Sequence, residues 1–265
     1  ISNTPADLWS PMNWLMPGIL WTWWKFRQRY TKTDYWGKIE SFQNLEDLEA
    51  RVAPYILRRT KAEVMPELPE KTFVDISVEL SVDERLLYKA VKSELLHGIE
   101  LDMLNKIDLG TINNLLTKMV RLQQICDSPE LIGDLTKSSK LQTLKDLLVD
   151  ILVIMEAKNN KAIIFTKFSS MALILFRELQ MYNPCLLIGD MTIEERQENI
   201  DAFKNDPLRK IFISTSAGAF GLNLQEANYV FHYDLPFSIS QLSQREGRVD
   251  RIGQKYPMTF YSLIV

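Results

Sequence analysis

From residue 161 onward, short runs of consecutive apolar and β-branched residues alternate with longer amphipathic stretches. The runs are KAIIF at 161–165, CLLIG at 185–189, KIFIST at 210–215, YVFHYD at 229–234 and TFYSLIV at 259–265. Runs that are apolar on every residue, rather than on alternate ones, suit strands buried on both faces, the situation of parallel strands covered by crossover helices. The strand–helix alternation therefore predicts an α/β fold: a parallel sheet flanked by helices, with functional residues gathered at the C-terminal ends of the strands. Ahead of the first run, Leu141, Leu144, Leu148, Ile151, Leu152 and Met155 recur at helical spacing over 138–157, with Ser138 or Ser139 as the N-cap.

Residues 1–135 follow another pattern, mainly helical, with one strand predicted at 72–78 and a helix opening at Ser81, where Ser81 and Glu84 form a capping box. The chain thus divides into 1–135 and 136–265. The apolar stretch 8–24 is broken by Pro11, Asn13, Pro17 and Gly18, so it reads as a buried helical pair and not as a membrane span. Trp9, Trp14, Trp21, Trp23, Trp24 and Trp36 all fall in this part. Clustered tryptophans suit base stacking or a partner surface, but in a helical segment the simpler reading is packing.

Composition narrows the function classes. The 265 residues are 46% hydrophobic, with a net charge of −3 and a pI near 5.6, so there is ample material for a core and no global basic field. Any nucleic-acid contact must come from local patches. Cys126 and Cys185 show no CxxC or Cys/His spacing, and His97 and His232 are isolated, which points to a reducing compartment and no structural metal.

The segment QREGRVDRIGQ at 244–254 carries the strongest chemical signal. In a helix, steps of four and three residues would stack Gln244, Arg248 and Arg251 on one face, with Gln241 a turn earlier. Two guanidiniums beside an amide, with no carboxylate on that face, suit the spread negative charge of a transferring phosphoryl group. A solvated basic face is the plain alternative for an isolated pair of arginines. Asp250 either holds one of the arginines or is simply exposed.

Further blocks bear on that choice. ISNTP with the following LW, YILRRTKAEVMPELPEK, LSVDERLLY, RLQQICDSPEL, AIIFTKFSSMALIL, GDMTIEERQENIDAF, ISTSAGAFGLNL, YVFHYDLPF and QREGRVDRIGQ stand in one order over nearly the whole chain. In that order they resemble the SWI/SNF-type helicase-like ATPases, superfamily-two DNA translocases. The resemblance implies a second RecA-like lobe over 136–265, preceded by the tail of the first lobe and helical protrusions. It implies that Ser214 and Thr215 touch a tracking DNA strand, that Gly221 and Asn223 face the nucleotide with Gln244, and that Arg248 and Arg251 act as arginine fingers. Thr166 and Lys167 would meet the phosphate backbone, and Arg58 and Arg59 of the ILRRTK patch would face DNA or bridge the lobes. Ala219 and Ser216 depart from a usual glycine and a frequent basic residue, and DLPF departs from the tryptophan, asparagine and proline of many members, nearer to prokaryotic and viral relatives.

Such an ATPase also needs a phosphate loop, G-x-x-x-x-G-K-[ST], and an acidic pair for magnesium. The chain's one Gly-Lys pair, Gly37-Lys38, is followed by isoleucine, and no DExH-like run is present. The expectation is therefore the second half of a motor: an ATP hydrolase translocating on double-stranded DNA and remodelling protein–DNA complexes, with ATP and Mg2+ held by a first RecA-like lobe of the same protein. This part alone should be inactive. The alternatives are a strand-separating or annealing helicase on DNA or RNA, and a non-catalytic nucleic-acid or partner-binding lobe. The expected setting is intracellular and DNA-associated, in cytoplasm or nucleoid for a prokaryotic or viral source and in the nucleus for a eukaryotic one, with no membrane partner.

Overall fold

The computed structural model describes residues 4–57, 69–104, 109–158, 161–215 and 222–265. The chain forms two compact units, Ile1–Pro66 and Glu67–Val265. Arg58, Arg59 and Gly221 lie outside the described residues.

In the first unit, helices α1 (Trp9–Leu15) and α2 (Trp23–Tyr30) lead into a hairpin of β1 (Thr31–Thr33) and β2 (Ile39–Phe42), followed by α3 (Leu45–Val52). Met12, Leu20, Phe26, Tyr30, Leu48 and Val52 form its core. Asp47 ties α3 to α2, accepting the Tyr30 hydroxyl at 2.6 Å and two Arg29 nitrogens at 2.9 and 3.1 Å. The tryptophans do not all pack as expected from the sequence. Trp9 and Trp21 line the core, whereas Trp14, Trp24 and Trp36 are 82%, 70% and 87% exposed. The physical reason is size: a core of six buried residues offers no room for six indoles.

The second unit holds a six-stranded, wholly parallel sheet. Its strands are β3 (Lys71–Ser77), β4 (Lys161–Thr166), β5 (Cys185–Leu187), β6 (Ile211–Thr215), β7 (Ala227–His232) and β8 (Met258–Ile264), in the order β3-β8-β7-β4-β6-β5. Every residue of β4, β5 and β6 is buried, as the unbroken apolar runs predict, although β5 stands at the sheet edge. The two-residue period divides β4 between two cores. Ala162 and Ile164 pack with Leu144, Leu148 and Leu175, while Ile163 and Phe165 pack with Phe203, Phe212 and Val230. This is a RecA-like arrangement of parallel sheet and flanking helices.

The flanking helices are α4 (Val82–Leu104), α5 (Leu109–Asp127), α6 (Ser139–Lys158), α7 (Ser169–Glu178), α8 (Ile193–Asn205) and α9 (Ile239–Glu246). Local signals place their starts. Ser81 and Glu84 make the reciprocal bonds of a capping box, at 3.3 and 2.8 Å, and so do Thr192 and Glu195, at 3.2 and 2.8 Å. The Ser138 hydroxyl caps α6 by accepting Leu141 N at 3.1 Å. Glu84 is fully buried and also accepts Ser139 N at 2.9 Å, so one carboxylate serves the starts of α4 and α6. Residues 67–135 belong to this larger unit by contact, since β3 pairs with β8 along its whole length.

Candidate functional site

The C-terminal ends of β4, β6 and β7 lie side by side, with Thr166 opposite Thr215 and Phe165 flanked by Ser214 and His232. The sheet thereby brings together four residues expected to meet nucleic acid: Thr166, Lys167, Ser214 and Thr215. Their side chains are less open than that expectation suggests. Thr166 and Ser214 are fully buried and Thr215 is 2% exposed. The Thr166 hydroxyl donates to Asp234 Oδ2 at 2.5 Å, and Ser214 Oγ donates to the Thr215 carbonyl at 3.0 Å. Half-buried Lys167 gives its backbone N–H to Asp234 Oδ2 at 2.7 Å and its ammonium to Gln123 Oε1 at 3.1 Å, 4.0 Å from the centre of the Phe237 ring. Burial holds that ammonium below its ordinary pKa.

Asp234 is the residue that organises this edge, and the sequence reading passed over it. It stands two residues past the end of β7 and is 2% exposed. One carboxylate oxygen receives Thr166 and Lys167, and the other receives Arg245 Nη2 at 3.2 Å, while Arg245 Nη1 donates to the Asp234 carbonyl at 2.6 Å. Arg245 is itself 2% exposed and lies 5.8 Å from the Phe165 ring centre. An acidic residue just after an apolar strand, and an arginine one position off the expected face, were the available signals.

The arginine segment corrects one expectation. The helix α9 ends at Glu246, so only Gln241 and Gln244 stand on it, both exposed, and Arg248 and Arg251 ride on the turns that follow. Gly247, the C-cap, keeps helical dihedral angles and bonds its N to Ser243 O at 2.9 Å, and the helix stops there. The loop is nevertheless fixed at several points. The Arg248 carbonyl accepts Leu224 N at 3.0 Å, Val249 is fully buried, and Gln254 Nε2 donates to the Ala227 carbonyl at 2.8 Å. Gly253 has a φ of +102°, and a Cβ there would meet Gln225 Nε2 at 3.0 Å. Asp250 is buried, not exposed on a helix, and its carboxylate receives Lys71 Nζ at 2.5 Å.

The loop presents two guanidiniums. Arg248 is half-buried and Arg251 exposed, and among the described residues neither side chain forms an ion pair. Burial first, and then the charge of Arg251, push the Arg248 guanidinium below its ordinary pKa, so the two cations lie close enough to repel. Asp250 between them is engaged by Lys71, and two neighbouring guanidiniums on a clamped loop are suited to a multiply charged anion. Asn223, exposed beside Leu224, stands next to the Arg248 backbone through the Leu224–Arg248 bond. The donor set thus fits a phosphate group. Among the described residues no group of three or more His, Cys, Asp or Glu is placed to hold a metal ion.

His232 shares this edge but not this chemistry. It is 1% exposed, stacked between Phe165 and Phe260, and among the described residues both ring nitrogens lack hydrogen-bond partners. Burial, with a smaller contribution from Arg245, pushes it down to about 3. The unfolded chain takes up a proton near pH 6.5 and the folded chain does not, so stability is complete above that pH and falls as pH drops. His232→Phe should therefore gain over the wild-type chain on acidification by about 1.4 kcal/mol per pH unit below 6.5. Urea unfolding at pH 7 and pH 5 measures this. An equal difference at both pH values would contradict a neutral, buried imidazole.

Two family models match the chain, the SNF2-related domain over residues 1–131 and the helicase conserved C-terminal domain over 139–253. Among curated proteins, the DNA repair and recombination protein RAD26 of Saccharomyces cerevisiae is 29% identical over the whole chain, which covers 26% of that protein. An uncharacterized ATP-dependent helicase of Mycoplasma genitalium, MG018, is 30% identical over the whole chain, which covers 25% of it. The chain therefore spans about a quarter of the length of these relatives. Among solved structures, the Sulfolobus solfataricus SWI2/SNF2 ATPase core in complex with dsDNA superposes with a TM-score of 0.62 at 29% identity, covering 97% of this chain and 54% of that one.

Proposed function

We propose, from the premise that the chain belongs to the SNF2-related, SWI/SNF-type family of helicase-like ATPases, that it is the second RecA-like lobe of an ATP-driven translocase on double-stranded DNA. The observation that carries this reading is the pair Arg248 and Arg251, two guanidiniums without an ion pair among the described residues, on a loop clamped beside the N-terminal ends of β3 and β7 in a parallel sheet. Such cations act by stabilising charge on a phosphoryl group already held by other residues. ATP supplies the cleavable phosphoanhydride. Here Gln244 and Asn223 line its approach, with Gly221 expected beside them, and Arg248 and Arg251 meet its terminal phosphates. A preceding RecA-like lobe supplies the phosphate loop and the magnesium ligands, because neither motif occurs in this sequence.

Duplex DNA is the partner proposed for the C-terminal ends of β4 and β6. The structural relative named above was solved in complex with dsDNA. In this chain, Lys167 and the backbone at the ends of β4 and β6 are the groups placed to meet a phosphate backbone, with the buried Thr166, Ser214 and Thr215 fixing that backbone from beneath. Arg58 and Arg59 remain proposed contacts from their sequence block. The biological setting is DNA-associated and intracellular, the target being a protein–DNA complex. Among the described residues no helix is long and apolar enough to cross a membrane.

ATP turnover of the longer protein containing this chain, measured without nucleic acid and with duplex DNA, single-stranded DNA or RNA, tests the proposal. Stimulation chiefly by duplex is the expected result. Preference for RNA or single strands would shift the assignment to a strand-separating helicase. The 265-residue chain alone should show no turnover above background, and hydrolysis by it would overturn the division of labour between lobes.

A further inference from the structure

We infer that Arg245, acting through Asp234, is the positioning residue that transmits nucleic-acid occupancy at the Thr166–Lys167 strand end to the Arg248–Arg251 loop. This deepens the proposed function and rests on it. The chain of contacts is short, and its central links, Thr166, Asp234 and Arg245, are buried. Thr166 Oγ1 and Lys167 N hold one oxygen of Asp234 at 2.5 and 2.7 Å. The other oxygen and the Asp234 carbonyl hold the Arg245 guanidinium at 3.2 and 2.6 Å. The Arg245 carbonyl in turn accepts Arg248 N at 3.1 Å, which sets the first turn of the loop that carries both arginines.

Geometry makes this a lever and not only a brace. A carboxylate is planar and rigid, so a displacement that tilts one oxygen necessarily moves the other. The guanidinium is equally planar and grips two separate acceptors on Asp234, so it follows the tilt. With both partners at 2% exposure, water does not substitute for a lost bond, and the link has defined made and broken states. The nearby Phe165 ring covers the guanidinium face and confines its motion. Arg245 itself, buried behind the loop, touches neither expected ligand.

The test uses the longer protein, with steady-state ATP turnover titrated by duplex DNA, the duplex Kd from fluorescence anisotropy, and the folded fraction from circular dichroism. Arg245→Met keeps side-chain bulk and removes both bonds. The expected outcome is a loss of about 5–150-fold in the maximal stimulation by duplex, the range of ordinary coupling between sites, with unstimulated turnover and duplex Kd little changed. Arg245→Lys retains the cation but offers one ammonium where the guanidinium spans two acceptors, and it should recover only part of the stimulation. It decides the matter if Arg245→Met does not fold. Stimulated and unstimulated turnover falling together, in proportion to the folded fraction, would show Arg245 to be structural alone and overturn the inference. Absence of duplex stimulation in the wild-type protein is a separate result, which overturns the proposed function and the inference with it.

Discussion

Arg251→Ala in the longer protein should reduce duplex-stimulated ATP turnover by about 10³- to 10⁵-fold, the range seen when an arginine finger is removed from a phosphoryl-transfer site. Arg251 is exposed and forms no ion pair among the described residues, so its guanidinium carries no structural bond whose loss would unfold the loop. The loop is held instead by Val249, Asp250, Gln254 and the Arg248 backbone. The melting temperature should therefore stay near the wild-type value while kcat falls. Because the cation stabilises charge that grows in the transition state, kcat should fall much more than KM for ATP rises. Arg251→Lys should recover little, since a single ammonium cannot reproduce a two-pronged grip on phosphate oxygens. Near-normal turnover in Arg251→Ala would remove the assignment of this loop to ATP hydrolysis.

Much of this architecture was legible in the sequence because it rests on local patterns. The strands at 161–166, 211–215 and 227–232 each hold a run of consecutive apolar residues, and Ser81 with Glu84 and Thr192 with Glu195 announce their helices. The site was legible as a set of residue types near one another in order. It was not legible as geometry. Helical spacing placed Arg248 and Arg251 on one face with Gln244, but Gly247 ends the helix and the turns after it do the placing. Spacing also gives no weight to a residue whose partner lies far along the chain. Asp234 meets Thr166 across 68 positions, and Asp250 meets Lys71 across 179, so neither bond leaves a local trace. The same limit applies to the tryptophans, whose type suggests burial while the small first core leaves four of them exposed.

The buried polar contacts of the second unit share one design: a carboxylate placed where two or three elements end. Glu84 joins α4 to α6, Asp234 joins β7 to β4 and α9, and Asp250 joins the arginine loop to β3. Each stands at a helix start, a strand end or in a loop, where backbone N–H groups or cations need acceptors that regular structure does not provide. The apolar cores decide that the sheet forms. The carboxylates decide which loop lies beside which, and hence where Arg248 and Arg251 point.

The most demanding of these junctions is Asp127, and Lys140→Met should destabilise the second unit by about 3–5 kcal/mol, the usual effect of removing one partner from a buried ion pair. Lys140 Nζ meets Asp127 Oδ1 at 3.0 Å, with side chains 5% and 1% exposed. Among the described residues the other oxygen, Oδ2, has no hydrogen-bond partner, so the lysine is the chief compensation for the charge. The junction also fixes tertiary structure, since the Asp127 carbonyl accepts the Ser138 hydroxyl at 2.9 Å and the Tyr233 hydroxyl at 2.6 Å. Burial already raises the Asp127 pKa above the usual carboxylate range, and Lys140 opposes that rise. Without the lysine the carboxyl rises further and stays protonated in the folded chain at pH values where the unfolded chain has released its proton. Folded Asp127 then binds more protons than unfolded Asp127, so its contribution to stability falls as pH rises from about 4 through the folded value. The loss in Lys140→Met should accordingly be largest near pH 8 and shrink toward pH 5. Adding Asp127→Asn should return much of the lost stability, because a neutral amide is far less costly to bury than a lone carboxylate. Thermal and urea unfolding across this pH range measure all three, with a shift in melting temperature of about 6–20 °C expected for the single variant at pH 8. A loss under about 1 kcal/mol with no pH trend would mean that Asp127 is hydrated in solution and that the junction is held by its carbonyl alone.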